Sequence, residues 1–243
     1  MMLLPNLYQL CGRAYGSHQN VYAAAFPESR TLVLFDTGLD ETDLDIILQN
    51  LSDWGLSEYR ISHVFLTHSH FDHTGNAHYF AAQGAQILIG GPDADAVLAR
   101  GGANNDPGNI SFAYGKPFPA TPVHRTLTNQ DSLSVQSLSI CCHSVPGHTP
   151  GCMAYSFKWC GKHILVTGDF LQTGDTVFTP QLGVRVDERY SYEDYRSSLK
   201  KMSTFPCDVI LPGQFQPCMK YAHVLLGAGY REILVNRNKY GTF

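Results

Sequence analysis

Short apolar runs alternate with amphipathic stretches along this chain of 243 residues. Residues 7–12, 20–26 and 31–36, rich in Val, Leu, Tyr and Phe, read as strands. Thr42 to Trp54 carries Leu44, Ile47, Leu48 and Leu51 at helical spacing, and Gly55 stops it. Ile61 to Thr67 is a further strand, and Asp72 is the predicted N-cap of a helix running to about Gln83 and closed by Gly84. A strand over 86–90 and a helix over 92–100, opened by Pro92, come next. Residues 101–120, with a Gly-Gly-Ala-Asn-Asn-Asp-Pro-Gly run, predict a long loop. Strands follow at roughly 122–128, 131–135, 138–145, 152–159 and 163–168. A Gly/Thr-rich connection covers 171–191, then a helix at 192–203, a strand at 208–212 and a last helix near 216–228.

Strands precede helices in each half, with a run of adjacent strands in both. That order predicts a single α/β domain over 1–243, with two mixed sheets packed face to face and helices outside, a four-layer sandwich. Composition narrows the function. A hydrophobic fraction of 44% excludes general disorder. Lys plus Arg is 17 against 21 for Asp plus Glu, and the longest basic run is Lys200-Lys201, so a nucleic-acid partner is not expected. No apolar stretch approaches the ~18 residues of a membrane span. Pro5, Asn6 and Gln9 interrupt the N-terminus, which lacks a basic start, so a signal peptide is not expected. The seven cysteines include no Cys-x-x-Cys pair and read as reduced thiols of a cytoplasmic protein.

The eleven histidines are the unusual feature, because they cluster. Thr67-His68-Ser69-His70-Phe71-Asp72-His73 places three His and one Asp within six positions at a strand-to-helix junction. Imidazole nitrogens and carboxylate oxygens are zinc ligands, so the segment is a candidate metal site rather than a set of surface histidines. Three more strand ends present candidate ligands: His148 in Val145-Pro146-Gly147-His148-Thr149-Pro150-Gly151, Asp169 after Leu165-Val166-Thr167-Gly168, and Gln214 after Pro212-Gly213. Asp36 either orients a ligating imidazole or caps its turn.

With these motifs, Asn20-Val21-Tyr22 and Phe35-Asp36-Thr37-Gly38, the chain resembles the metallo-β-lactamase superfamily of metallohydrolases over about residues 7–225. The resemblance implies an αβ/βα sandwich with the metal site at one edge, between the sheets. It implies His68, His70 and His148 on a first metal, Asp72 and His73 on a second, and Asp169 bridging both. The family usually ends its last strand in Pro-Gly-His; here the residue is Gln214. An amide oxygen is a weaker ligand than imidazole, which predicts a firm first site and a weakened second one. His223, nine residues on, is a candidate replacement. Zinc is the expected metal, as one or two ions, with iron and manganese as family alternatives.

Such a centre generates hydroxide at neutral pH to attack a carbonyl, with Asp72 orienting the water or accepting its proton. The implied reaction is hydrolysis of an ester, thioester or lactone of a small molecule. Nucleic-acid-processing members carry extra domains and basic surface, secreted β-lactamases a signal peptide, and glyoxalase II-type enzymes a C-terminal helical domain. Only about 15 residues follow the last predicted helix, so a lactonase-like hydrolase is expected. Phe112, Tyr114, Phe118 and Phe178 are candidate substrate contacts, or else anchors of their own loops. His18, in Gly16-Ser17-His18, is expected near the site. Two other readings stand beside this one. A persulfide dioxygenase-like oxidoreductase would hold one iron on His68, His148 and Asp169; a non-catalytic homologue would bind metal or ligand only. A homodimer is compatible with the family.

Overall fold

Alternation within the strands builds the layers. In the run Thr31–Phe35, Val33 and Phe35 join one buried cluster while Leu32 and Leu34 join another. This strand is therefore covered on both faces, as a central strand of a sandwich must be. The computed structural model describes residues 1–98, 119–174, 176, 179–186 and 188–241.

One sheet runs in chain order: β1 (Met2–Leu4), β2 (Leu7–Cys11), β3 (Val21–Phe26), β4 (Thr31–Phe35), β5 (Arg60–Phe65), β6 (Gln86–Gly90) and β7 (Arg125–Leu127). Its first four strands are antiparallel and its last four, from β4 onward, are parallel. The second sheet holds β8 (Ser132–Val135), β9 (Leu138–Ser144), β10 (Met153–Trp159) and β11 (Lys162–Gly168), paired antiparallel in sequence. After a separate hairpin of β12 (Gln172–Thr173) and β13 (Pro180–Gln181), β14 (Val209–Pro212) returns to lie parallel to β11. Both sheets are mixed, as the element order implied.

Val33, Phe35 and Phe65 from the first sheet meet Cys142, Tyr155, Phe157 and Val166 from the second. Phe35 stacks on Phe65 and Phe157 with ring centroids 5.6 and 5.3 Å apart, a favoured aromatic geometry at the middle of the sandwich. Outside the first sheet lie α1 (Glu41–Asp53), α2 (Phe71–Thr74), α3 (Ala77–Ala82) and α4 (Gly91–Leu98), with Ile47, Leu51 and Phe80 packed on Leu32, Leu34 and Val64. Outside the second lie α5 (Tyr192–Met202), α6 (Ala222–Val235) and α7 (Arg237–Tyr240), whose Tyr195, Leu199, Leu226 and Ile233 cover Ala154, Leu165 and Ile210. The result is an αβ/βα sandwich. Asp40 caps α1 by accepting from Thr42 N, and Ser191 caps α5 by accepting from Asp194 N.

Three expectations need correction. The helix predicted from Asp72 to Gln83 is two short helices, and His70 rather than Asp72 is the cap position. The break is held from outside: Gly75 N donates to Gly38 O, and Asn76 Nδ2 donates to Thr37 O and Asp40 O at 2.9 Å each. The last long helix starts at Ala222, not near 216, because Cys218 pairs with Ile210 in a short β-bridge that keeps the chain extended. β1 was not anticipated; Met2 and Leu4 pair with Tyr8 and Leu7. No helix among the described residues is long and apolar enough to cross a membrane.

Candidate metal centre

The C-terminal ends of β4, β5, β11 and β14 open at the same edge of the sandwich, where the β9–β10 turn also lies. Two tyrosines fix this edge across the seam. Tyr155, on β10, donates to Leu66 O beyond β5 at 2.5 Å. Tyr22, on β3, donates to Pro212 O on β14 at 2.8 Å. Backbone bonds add to them: Met153 N donates to Thr67 O (2.8 Å), and Asn20 N to Gly213 O (2.7 Å). The segments that carry the candidate ligands are thus tied between sheets.

His68, His70 and His148 come together with ring centroids 4.6 to 4.9 Å apart. One donor atom from each lies within 4.8 Å of the others, and the same holds for His68, His73 and Asp169. All five residues are buried. The trio His68, His148 and Asp169 is not among the groups that satisfy this distance. Asp72 joins neither group; its Oδ2 lies 3.4 Å from His73 Nε2. Gln214 Nε2 donates to Asp72 Oδ2 at 3.2 Å and to Asp169 Oδ2 at 3.3 Å, so the amide spans the two carboxylates.

Asp36 sets the ring orientations. Its Oδ1 accepts from Thr67 N at 2.7 Å, and its Oδ2 accepts from Thr67 Oγ1 at 2.9 Å and faces His73 Nδ1 at 3.0 Å. A carboxylate only accepts, so His73 Nδ1 is the protonated nitrogen there and Nε2 points at Asp72 and Asp169. The Thr67 hydroxyl gives its one proton to Asp36, so His68 Nδ1, 3.0 Å away, must donate to Thr67. That leaves His68 Nε2 as the lone-pair nitrogen, 3.0 Å from His70 Nδ1. Asp36 therefore orients imidazoles rather than merely capping a turn.

The donor set fits a metal ion. His73 Nε2, both ring nitrogens of His148 and Asp169 Oδ1 are buried without a hydrogen-bond partner. Orphaned buried nitrogens and oxygens are costly, and His73 Nε2, His148 Nε2 and Asp169 Oδ1 are brought together from three chain segments. Burial, with His70 beside it, pushes His148 down to about 3, so this imidazole is neutral and ready to ligate. Burial opposes charge on His73, but Asp72 and Asp169 outweigh it and hold the ring above its ordinary range. Burial would likewise raise Asp72 and Asp169; His73 reverses this and holds both carboxylates below their usual range. Gly213 is the only residue type that fits its position: a Cβ there would sit 2.5 Å from His73 Cε1 and 2.7 Å from Asp169 Oδ1.

The remaining candidates separate from this cluster. His223 is exposed on α6, in a cavity shared with His163 and Asp208 at the far end of β11, so it does not replace a ligand. His18 is exposed and joins neither donor group. Phe112, Tyr114, Phe118 and Phe178 lie outside the described residues. Two contributors carried no motif. Tyr195 Oη meets Phe170 O at 2.7 Å and Asp169 O at 3.0 Å, fixing the Asp169 backbone from α5. Asp93, buried at the start of α4, accepts from Ser69 N and Thr149 Oγ1.

The family model described as the metallo-beta-lactamase superfamily matches residues 14–214. The chain belongs to the metallo-beta-lactamase superfamily. A hydroxyacylglutathione hydrolase of Pseudomonas savastanoi is 29% identical over 155 residues, covering 63% of this chain and 47% of that protein. Glyoxylase B2 of Dictyostelium discoideum is 27% identical over 144 residues, covering 58% and 44%. The chain spans about half the length of the curated relatives it matches. Among solved structures, BJP-1, a subclass B3 metallo-beta-lactamase of Bradyrhizobium japonicum, superposes with a TM-score of 0.76 at 22% identity, covering 98% of this chain and 92% of that one. At that identity the likeness establishes the fold. Membership of the metallo-beta-lactamase superfamily and the histidine-rich donor set together imply divalent metal binding.

Proposed function

We propose that this chain is a zinc-dependent hydrolase acting on a carbonyl ester, thioester or lactone of a small molecule. The observation that carries it is the convergence of His68, His70, His148, His73 and Asp169, with orphaned buried donor atoms, at one edge of the sandwich. Relatives named as a hydroxyacylglutathione hydrolase and a probable metallo-hydrolase support hydrolysis.

His68, His70 and His148 would hold the first ion; His73 and Asp169, with Asp72 beside them, would hold a second. When bound, zinc supplies Lewis acidity, making hydroxide available near neutral pH and polarising the carbonyl. Asp72 is the least enclosed of the acidic groups, with 18% of its side chain exposed. It would orient the attacking water and accept its proton as the carbonyl is attacked. His148, neutral, donates its lone pair without first losing a proton. Thr67 and Asp36 keep His68 and His73 in the tautomers that leave Nε2 turned inward. The Gln214 amide neutralises part of the repulsion between Asp72 and Asp169.

The test is turnover of a panel of esters, thioesters and lactones by protein stripped with chelator and then reloaded with zinc. Activity on at least one class, lost on stripping and restored by zinc, is expected. Asp72→Asn should lower kcat by about 10²-fold or more while zinc at the three-histidine site is retained. Turnover that survives stripping, or none across the panel with zinc bound, would overturn the reading.

A further inference from the structure

Two of the three histidines of the first site, His68 and His70, hang from the end of β5 in one sheet, and the third, His148, from a turn of the other. Something must hold these two loops at a fixed separation. We infer that Asp93 is the positioning residue that does so, and that its carboxylate sets the affinity of the three-histidine site for metal. This rests on the metal site proposed above.

The contacts are divided between the loops in a specific way. Asp93 Oδ2 accepts from Ser69 N at 2.8 Å, the peptide between His68 and His70. The same oxygen accepts from Thr149 Oγ1 at 2.6 Å, the side chain next to His148. Asp93 Oδ1 accepts from Gly151 N at 3.0 Å, further along the His148 turn. Arg189 Nη1 lies 3.8 Å from Oδ1, and Arg189 Nη2 donates to Ser69 Oγ at 3.1 Å. A single carboxylate thus holds both loops, and the guanidinium closes the ring by returning to the first of them.

The carboxylate is 0% exposed. Burying an ionised group is costly unless every lone pair is engaged, and these contacts engage both oxygens. The approach leaves no slack. A Cβ on Gly151 would sit 2.5 to 2.6 Å from Asp93 N, Cβ and Cγ, so the His148 turn rests directly on Asp93. Asp93 touches no donor atom itself. It acts through Ser69 and Thr149, whose displacement by a fraction of an ångström would spread His68 and His70 away from His148.

The chemistry also predicts what a near-isosteric change does. Asp93→Asn has one acceptor oxygen where the native side chain has two. Whichever way the amide turns, its NH2 group faces N–H or O–H donors, either Ser69 and Thr149 or Gly151 and Arg189. One loop must then be released.

The experiment measures zinc affinity of the full chain by competition with a chromophoric chelator, beside thermal unfolding of the stripped protein. Asp93→Asn and Thr149→Val should each weaken zinc binding by about 10- to 100-fold. Thr149→Ser, which keeps the hydroxyl donor, should retain native affinity. Unchanged zinc affinity in Asp93→Asn and Thr149→Val, with only a lower unfolding temperature, would make Asp93 merely structural and overturn the inference. If Asp93→Asn does not fold, the Thr149 pair decides alone. A native protein that binds no zinc would instead overturn the proposed function and this inference with it, which separates the two failures.

Discussion

Gln214 offers the sharpest test of how this centre is balanced. Its amide donates to both Asp72 and Asp169, two carboxylates held ionised on the same side of the site. Bonds to charged acceptors contribute about 1.5–3 kcal/mol each when short and buried. At 3.2 and 3.3 Å they lie at the long end of the range, and Gln214 is only half-buried, so about 1–2 kcal/mol for the pair is the fitting magnitude. A chain of this length shifts in Tm by about 2–4 °C per kcal/mol. Gln214→Ala should therefore lower the Tm of chelator-stripped protein by about 2–8 °C. Gln214→His should act differently. An imidazole beside the same carboxylates adds a better zinc donor, so bound zinc after dialysis against limiting metal should rise from about one to about two per chain. Calorimetry of stripped protein and metal analysis by plasma mass spectrometry read the two outcomes. Native protein that retains two zinc ions with equal, tight affinity would refute the reading of Gln214 as a weak donor. A stripped Gln214→Ala with native Tm would refute its role as a bridge.

Asp36→Asn leaves the backbone at ease, because φ is 59° there and Asn tolerates that region. It removes one of the acceptors shared by Thr67 and His73, so zinc affinity should fall by about 10- to 100-fold in chelator competition. Tyr22→Phe and Tyr155→Phe each delete one cross-sheet bond and should each cost about 0.5–1.5 kcal/mol in urea unfolding. A larger loss would mean that the ring itself had shifted. His143 bonds to Ser156 Oγ at 2.8 Å, and burial, then Lys201, lowers its pKa below the usual imidazole value. The unfolded chain then binds the proton more readily, so this group's contribution to stability falls as pH drops from about 6.5 towards the folded pKa. An NMR titration showing His143 at or above 6.5 would contradict it.

Much of this was legible in residues 67–73 because metal chemistry restricts residue type and spacing at once. The second sheet was also located to within a few residues, since β8 and β9 alternate buried with more exposed positions while β11 and β14 are apolar and buried along most of their length. The last helix was misplaced for a different reason. Its buried positions Ala222, Leu225, Leu226, Gly229 and Ile233 have a clear helical period, but the tertiary bridge between Cys218 and Ile210 decides where that period begins. The gap between α2 and α3 has the same origin, since Asn76 serves carbonyls some 36 to 39 residues earlier. Asp93 was invisible because nothing local distinguishes it. Its partners are 24, 56 and 58 residues away, and only the folded chain brings them to one carboxylate.

The two tyrosine bonds across the seam make the metal centre a caliper on the sandwich. Its jaws belong to different sheets, so a cation held between them resists sliding or parting of the whole domain, not only motion of a loop. Free zinc at a hundred times its dissociation constant would add about 2.7 kcal/mol against global opening. Loss of the ion and loss of the fold become linked events. Proteases that attack opened chains would then distinguish loaded from empty molecules, and metal supply would set how long each copy persists.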